Sequence, residues 1–586
     1  MKKFHLVLIK PSHYDDDGYV IQWWRSSMPS NTLASVVGLA EDANERGVLG
    51  ENVDFRIHAY DETNTRINIR RIARLIKRNS GIVGLVGVQS NQYPHAMDLA
   101  REFRELDIPV AIGGFHVSGT IAMLKEMPVE LKEALDLGIT LFAGEAEHRL
   151  DDFLLDAYTG TLQPLYNYMD DLPDISDTPI PFLPVERVKR STTTQTSFDA
   201  GRGCPFECSF CTIINVQGRK SRYRSGEDVA NIVKRNLSQG VKRFFITDDN
   251  FARNRNWEEI LDRLISLKEE VDIRFNLVIQ VDTLCHKIPN FIDKCVEAGV
   301  KRVFIGLENI NPENLQEVKK RQNRITEYRT MVQAWKNLGV FTIAGYILGF
   351  PNDTKESILH HIEILKREIP IDLLEFFYLT PLPGSEDHKN MVESGAYLEP
   401  DLNKYDLCHV CCEHPRMSKE EWEDAYIAAW ETYYSDEHSV TLLKRARATG
   451  VNTGKMVAGI TSFYGSVMFE NVHPLESGFI RRKSRRQRRC GFPRESILEF
   501  YPKYWASVFS KNYQLLMRVS KLHRVRRALL KDPASKDYTD LSLEKVTDNE
   551  IALLELYNVT ESAKAAADKE MKRKARSLRR KAAAAE

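Results

Sequence analysis

The chain has 586 residues, enough for two to four domains with sizeable apolar cores. Hydrophobic residues make up 42% and charged residues 28%, the balance of a soluble globular protein. Lys plus Arg and Asp plus Glu both number 82, which excludes a global basic field for nucleic acid, and no apolar run approaches the ~18 residues of a membrane span.

The start, "MKKFHLVLIKPSHYDDDGY", has basic residues and an apolar run of only about five residues with no small-residue cleavage site, so it reads as a first β-strand rather than a signal peptide. A cytoplasmic protein is expected. Residues 1–160 continue with strand candidates at 53–60, 81–88, 108–114 and 138–144, mostly separated by amphipathic stretches. Near-continuous apolar strands between helices predict a parallel sheet covered on both faces, a Rossmann-like α/β domain whose ligand sits beyond the carboxyl ends of the strands. Five prolines between Pro164 and Pro184, followed by "STTTQTS", mark 161–195 as a linker.

From 196 to 390 the βα rhythm resumes in "KRFFITDDNF", "IRFNLVIQVD", "KRVFIGLEN", "FTIAGYILGF" and "DLLEFFYLTPLPG". With the strand of a cysteine-bearing loop this makes about six βα units, a partial (β/α) barrel with its site at the carboxyl ends of the strands. Beyond 390 the strands fade, and 391–586 reads as a mainly helical region. It includes "SKEEWEDAYIAAWETYY" (418–434), an amphipathic helix with a Ser cap and Glu three residues later, and a basic run, "RRKSRRQRR", at 481–489.

Cys204, Cys208 and Cys211 lie within "RGCPFECSFCT", three of nine cysteines in eight positions. Nine cysteines in so long a chain make no disulfide framework, so the cluster points to metal or redox chemistry. Three thiolates can hold three irons of a [4Fe–4S] cluster and leave the fourth open to a small molecule. A structural zinc site normally takes four ligands, and no His or Cys nearby completes one. A set of ordinary buried thiols fits poorly with this spacing between Gly203 and Pro205.

Cys-X3-Cys-X-aromatic-Cys, with Phe210 as the aromatic residue, resembles the signature of the radical S-adenosylmethionine (SAM) superfamily. The resemblance implies that the open iron is chelated by SAM, whose reductive cleavage gives a 5′-deoxyadenosyl radical with an electron from a flavodoxin- or ferredoxin-like donor. It also implies that "ITDDNF" supplies the group holding the SAM amino nitrogen. The family's usual Gly-Gly-Glu is absent there, so Asp248, Asp249 and Asn250 all stand as candidates. "GLEN" resembles the ribose-contacting strand end and points to Glu308; "GYILGFPNDT" resembles the adenine-facing segment, with Gly345 and Gly349; "TPLPGS" resembles the final barrel loop.

A Rossmann-like domain ahead of such a barrel resembles the cobalamin-binding subclass, which includes methyltransferases acting on unactivated carbon and the anaerobic cyclase of bacteriochlorophyll synthesis. "AIGGFHVSG" and "FAGEAEHRL" resemble its strand-end segments and imply cobalamin contacts from Gly113, Gly114, His116, Ser118, Gly144 and Glu145. The Asp-X-His-X-X-Gly motif that supplies an axial histidine is absent, so binding is expected to rest on backbone groups and loops near 10–24, 90–94 and 113–119, with His116 as a hydrogen-bonding residue. "YDLCHVCCEHPRMSKEEW" resembles the subclass's carboxyl-terminal region, which accounts for Cys408, Cys411 and Cys412 without a second metal site.

The reading is a radical SAM C-methyltransferase with a [4Fe–4S] cluster, SAM and cobalamin. Its alternatives are a cyclase or rearranging enzyme and a non-catalytic cobalamin or Fe–S sensor. A methylthiotransferase needs three further cysteines in the first domain, and none precedes Cys204. The substrate is an unidentified small molecule. The basic run is read either as a solvated loop or, with Phe500, Tyr501, Tyr504 and Trp505, as a peripheral contact with the anionic inner membrane face and a lipid-like or apolar substrate; no nucleic-acid motif is present.

Overall fold

The computed structural model describes residues 2–545 and 554–583. The chain divides into two compact units, one of Met1–Ile279, Thr380–Cys412 and Val472–Tyr513, the other of Gln280–Leu379, Glu413–Asn471 and Gln514–Glu586.

In the first unit the apolar run from Phe4 forms β1 (Lys2–Lys10), whose residues Phe4–Ile9 are buried. A strand buried on both faces belongs at the centre of a covered parallel sheet. After β2 (Gln22–Ser26) come β3 (Val53–Asp61), β4 (Ser80–Leu85), β5 (Val110–Gly113), β6 (Thr140–Ala143) and β7 (Leu165–Asn167). The parallel sheet runs β3-β1-β4-β5-β6-β7, with Leu6 opposite both Ile57 and Ile82. Val83, Phe103, Ile112 and Leu141 share its core. β7 carries the sheet into the proline-rich stretch. That stretch is packed: Phe182 N donates to Ala34 O (3.0 Å), and Ile175, Leu183 and Val188 are buried.

β8 (Thr196–Phe198) begins a second parallel set, with β9 (Gly201–Arg202), β10 (Arg222–Tyr223), β11 (Arg243–Ile246) and β12 (Asn276–Val281) following. β11 pairs with β8 on one side and β12 on the other. β9 and β10 form a two-residue antiparallel ladder that closes the base of the cysteine loop.

β2 pairs with the strand Gly478–Arg482, and the Trp23 indole donates to Glu476 O (2.9 Å). This pairing changes the reading of the basic run as solvated charge. Arg481 is buried against Asp15 (3.1 Å), Lys483 reaches Asp15 (2.7 Å) and Asp17 (2.9 Å), and Arg489 is bidentate to Asp401 (2.6 and 2.7 Å). Arg482 and Arg486 remain exposed.

In the second unit β13 (Val300–Glu308), β14 (Phe341–Leu348) and β15 (Leu373–Tyr378) run parallel. All eight residues of β14 are buried, as expected for a strand covered on both faces. Trp430 packs edge-on against Phe376 of β15 at 5.2 Å, from a helix (Lys419–Tyr433) that starts with the expected Ser418–Glu421 capping box. No helix among the described residues is long and apolar enough to cross a membrane.

Candidate active site

The cysteine loop leaves β9 through Gly203, whose φ is +84° and where a Cβ would meet Lys220 O at 2.5 Å; only glycine suits such a turn. Cys204 N donates to Gly218 O (3.2 Å), and Cys211 N donates back to Cys208 O (3.1 Å), folding the loop on itself. The Thr380–Cys412 segment braces it. Asp387 N donates to Ser209 O (3.2 Å), and the Asn215 amide donates to Gly384 O (2.9 Å). Cys208 is buried, Cys204 and Cys211 are half-buried, and none is in a disulfide. Burial pushes the Cys211 thiol up to about 12, helped by Cys208, Asp249 and Cys204. The three sulfurs and the Asp249 carboxyl therefore lie in one electrostatic neighbourhood. Phe210 is half-buried beside them.

The three polar residues after β11 have different places. Asp248 is buried and accepts from Ala200 N and Gly201 N (2.7 Å each) through one oxygen and from the Asn254 amide (2.8 Å) through the other. It fixes the backbone that leads into the cysteine loop. Burial pushes it up to about 7 against the pull of those three donors. Asp249 is half-buried; burial and the neighbouring Asp248 push it up to about 7. Asn250 is buried and stands immediately before the short turn Phe251–Arg253.

A buried charge network frames the loop, and the sequence reading missed it. Arg202 is bidentate to Glu147 (2.6 and 3.0 Å) and also reaches Glu145 (2.6 Å) and Asp199 (3.0 Å). Arg222, opposite it on β10, pairs with Glu145 as well, and Arg224 donates to Asp199 O (3.0 Å). Burial alone would raise Glu147 and Asp199, but the Arg202 charge and hydrogen bonds hold both below the usual carboxylate range. The local signal was three arginines, at 202, 222 and 224, bracketing a loop beside two acidic strand ends.

In the first sheet, Gly114 sits at φ +149° where a Cβ would meet Val88 N at 2.2 Å, and Gly113 O accepts from that same N–H (3.1 Å). Ser118 Oγ accepts from Gly144 N (3.0 Å), joining the strand ends of β5 and β6. Both Glu145 oxygens are engaged by the arginines. His116 is buried, with Nδ1 on Ser90 Oγ (3.1 Å) and its ring 4.3 Å from Tyr93. Burial pushes it down to about 3, so the imidazole is neutral. His13 is buried 3.3 Å from Glu476.

In the second unit Glu308 ends β13 at a register shift, with φ +64° and an ion pair to Lys320 (2.5 Å). A non-glycine residue in that region is strained, a feature that gathers at functional positions. Gly345 packs under Phe304 and Phe377, and a Cβ on Gly349 would overlap the Trp422 indole. Asp353 accepts from Gly349 N (3.1 Å) and Phe350 N (3.0 Å), holding that turn.

Among the described residues no three His, Cys, Asp or Glu side chains are gathered tightly enough for a single metal ion. A four-iron cluster places each cysteine on a different iron, so its thiolates stand farther apart than the ligands of one ion. The donor set, three soft sulfurs in one loop, fits such a cluster. Residues 200–365 match the family model described as Radical SAM superfamily. The chain carries a radical SAM domain. That domain spans the cysteine loop, Asp249 and the βα repeats up to β14, and with it come a [4Fe–4S] cluster and SAM. The chain is 26% identical to the bacteriochlorophyllide d C-8(2)-methyltransferase of Chlorobaculum tepidum, over 57% of this chain and 74% of that protein. It is also 26% identical to the hopanoid C-2 methylase of Rhodopseudomonas palustris, over 49% of this chain and 53% of that one. Among solved structures, TsrM from Kitasatospora setae, a radical SAM methyltransferase with cobalamin and [4Fe-4S] cluster bound, shares the fold. Its TM-score is 0.54 at 16% identity, covering 75% of this chain and 90% of TsrM.

Proposed function

We propose that this radical SAM enzyme uses cobalamin to methylate an unactivated carbon of a small apolar molecule. The observation that carries the reading is the braced loop of Cys204, Cys208 and Cys211 with Asp249 in its electrostatic neighbourhood. Methyl transfer is supported by the names of the two relatives, and cobalamin by the contents of the TsrM structure.

When bound, the cluster supplies the electron that cleaves SAM, and cobalamin carries the methyl group. The chain's own groups prepare for both. The thiols, with Cys211 held protonated by burial, release their protons as iron binds and become thiolates. Asp249 is the carboxylate assigned to the SAM ammonium, because Asp248 is occupied with backbone donors. Arg202, Arg222 and Glu145 hold the loop at its base. In the first sheet, the Gly113–Gly114 backbone, Ser118 and Gly144 lie at the strand ends assigned to cobalamin. His13 and His116 are buried and are not assigned to cobalt.

A small flavodoxin- or ferredoxin-like protein is assigned as electron donor. The reading places the enzyme in the cytoplasm, in contact with the inner membrane face from which an apolar substrate is taken. The test is anaerobic reconstitution with iron, sulfide, cobalamin, a chemical reductant and methyl-labelled SAM in the presence of a lipid-rich cell extract. Label on carbon of an apolar product supports the reading. Cleavage of SAM with label on no product, or product formation without cobalamin, overturns the methyltransferase assignment.

A further inference from the structure

The helix Ile497–Lys531 is 35 residues long and exposes large apolar side chains at a regular interval. Tyr501, Trp505, Phe509 and Tyr513 follow one another at four-residue spacing and are 47–70% exposed; Leu498 beside them is 87% exposed. Residues four apart lie on one helix face, so these form a stripe about three turns long. Among the described residues, twelve of the 23 exposed large hydrophobic side chains fall between Leu475 and Met517. Scattered exposed leucines need no explanation, but a contiguous stripe marks an interaction surface. The stripe is anchored from beneath. Phe500 is buried and stacks on Tyr504, and the Tyr504 hydroxyl donates to Arg481 O (3.2 Å). The exposed face is thus held in place by its opposite side.

We propose that this stripe docks the enzyme on an anionic phospholipid surface, with the helix lying in the interfacial plane. Charge selects this occupant. Over Ile497–Lys531 the sequence carries eight Lys and Arg and a single acid, Glu499; Lys503 pairs with Glu495 and Glu499 and Lys521 with Asp436, which still leaves the helix cationic although the whole chain is neutral. A second copy of so cationic a helix would be repelled, whereas anionic headgroups attract it. Tyr and Trp suit the headgroup boundary, and Leu498 and Phe509 suit the acyl region below it. Aliphatic side chains on the stripe also favour lipid over nucleic acid, which is bound through aromatic stacking and cations alone. This surface differs from the basic run 481–489, where Arg481, Lys483 and Arg489 are ion-paired within the protein and Arg485 and Arg488 donate to backbone carbonyls. The inference extends the apolar-substrate reading, but its test reads binding without turnover.

The experiment is co-sedimentation of the full chain with vesicles of phosphatidylcholine alone or mixed with phosphatidylglycerol, at low and high salt. The wild type should pellet with the anionic vesicles and be released as salt rises. Tyr501→Ser, Trp505→Ser and Phe509→Ser together should weaken that binding by at least ~100-fold, since three large side chains lose their burial. The residues are exposed, so the variant should keep the wild-type unfolding profile. Trp505→Phe should bind normally but lose quenching by bromine-labelled lipid. Failure of the wild type to pellet, equal binding of the triple variant, or oligomerisation abolished by the triple variant without vesicle binding would each overturn the proposal.

Discussion

Arg202 and Glu147 form a buried two-pronged ion pair, 2.6 and 3.0 Å, that ties the loop after β6 of the Rossmann-like sheet to the base of the cysteine loop. Arg202 lies two residues before Cys204, so its position sets where the first thiol starts. Removing Glu147 takes away the bidentate partner of Arg202 but leaves Glu145 and Asp199 in contact with it, so the loss should fall short of the about 3–5 kcal/mol of a fully orphaned buried charge. Glu147→Ala should therefore destabilise the first unit by about 2 kcal/mol and reduce the iron retained after reconstitution. Glu147 is held below the usual carboxylate range, so its stabilisation is complete above about pH 4.5 and is lost as pH falls through its lower folded value. Urea unfolding of wild type and variant from neutral to acid pH should show the two curves converging at the acid end. A constant difference would contradict this account of the pair.

Gly349 and Trp422 make a second, purely steric prediction. A Cβ at Gly349 would stand 1.9 Å from the indole, and φ there is +93°. Gly349→Ala should cost about 3 kcal/mol or more through overpacking and backbone strain together. Gly160 has a similar φ of +80° with nothing within 4 Å, so Gly160→Ala should cost only about 1 kcal/mol. Equal losses in urea unfolding would show that conformation alone, not the indole, demands glycine at 349.

His409 stands 3.0 Å from both Asp16 and Asp406. Burial would lower its pKa, but the two carboxylates outweigh it and raise it to about 10. A raised base contributes stability that is complete below its unfolded value near 6.5 and is lost as pH rises through about 10. After allowance for the exposed Asp16, the wild type should lose about 2 kcal/mol more than His409→Gln over that interval. Thermal unfolding at the two ends of the interval measures it, and parallel losses in both proteins would refute the charged-histidine assignment.

The cobalamin reading predicts a cobalt centre without a histidine ligand. His116 is buried, neutral and bonded to Ser90, and His13 is buried beside Glu476. His13→Ala and His116→Ala should leave the Co(II) electron paramagnetic resonance spectrum nearly unchanged. A histidine nitrogen coupling that either substitution removes would contradict this. Absence of any bound cobalamin would remove the cofactor while leaving the radical SAM domain in place.

The parallel strands were legible because each is a short apolar run between polar turns. "FHLVLI", "GIVGLVGV" and "FTIAGYILGF" all became buried strands. The Ser418–Glu421 cap was equally local. What escaped was non-local. β2 and Gly478–Arg482 meet across some 450 residues, and neither half carries a clear alternating pattern. The basic run looked solvated because its partners, Asp15, Asp17 and Asp401, lie far away in the chain. At the site, spacing singles out the three cysteines as candidate ligands. Spacing does not separate Asp248, Asp249 and Asn250, and it does not reveal that the backbone of Ala200 and Gly201 captures Asp248.

The central claim is that Cys204, Cys208 and Cys211 together hold one open four-iron cluster that cleaves SAM. Its most direct test is anaerobic reconstitution of the wild type and of the triple Cys→Ala variant. Iron and sulfide are assayed, and 5′-deoxyadenosine is measured after reduction in the presence of SAM. The wild type should hold about four irons and four sulfides at this site and release 5′-deoxyadenosine, while the variant should do neither. Undiminished 5′-deoxyadenosine from the triple variant would contradict the account.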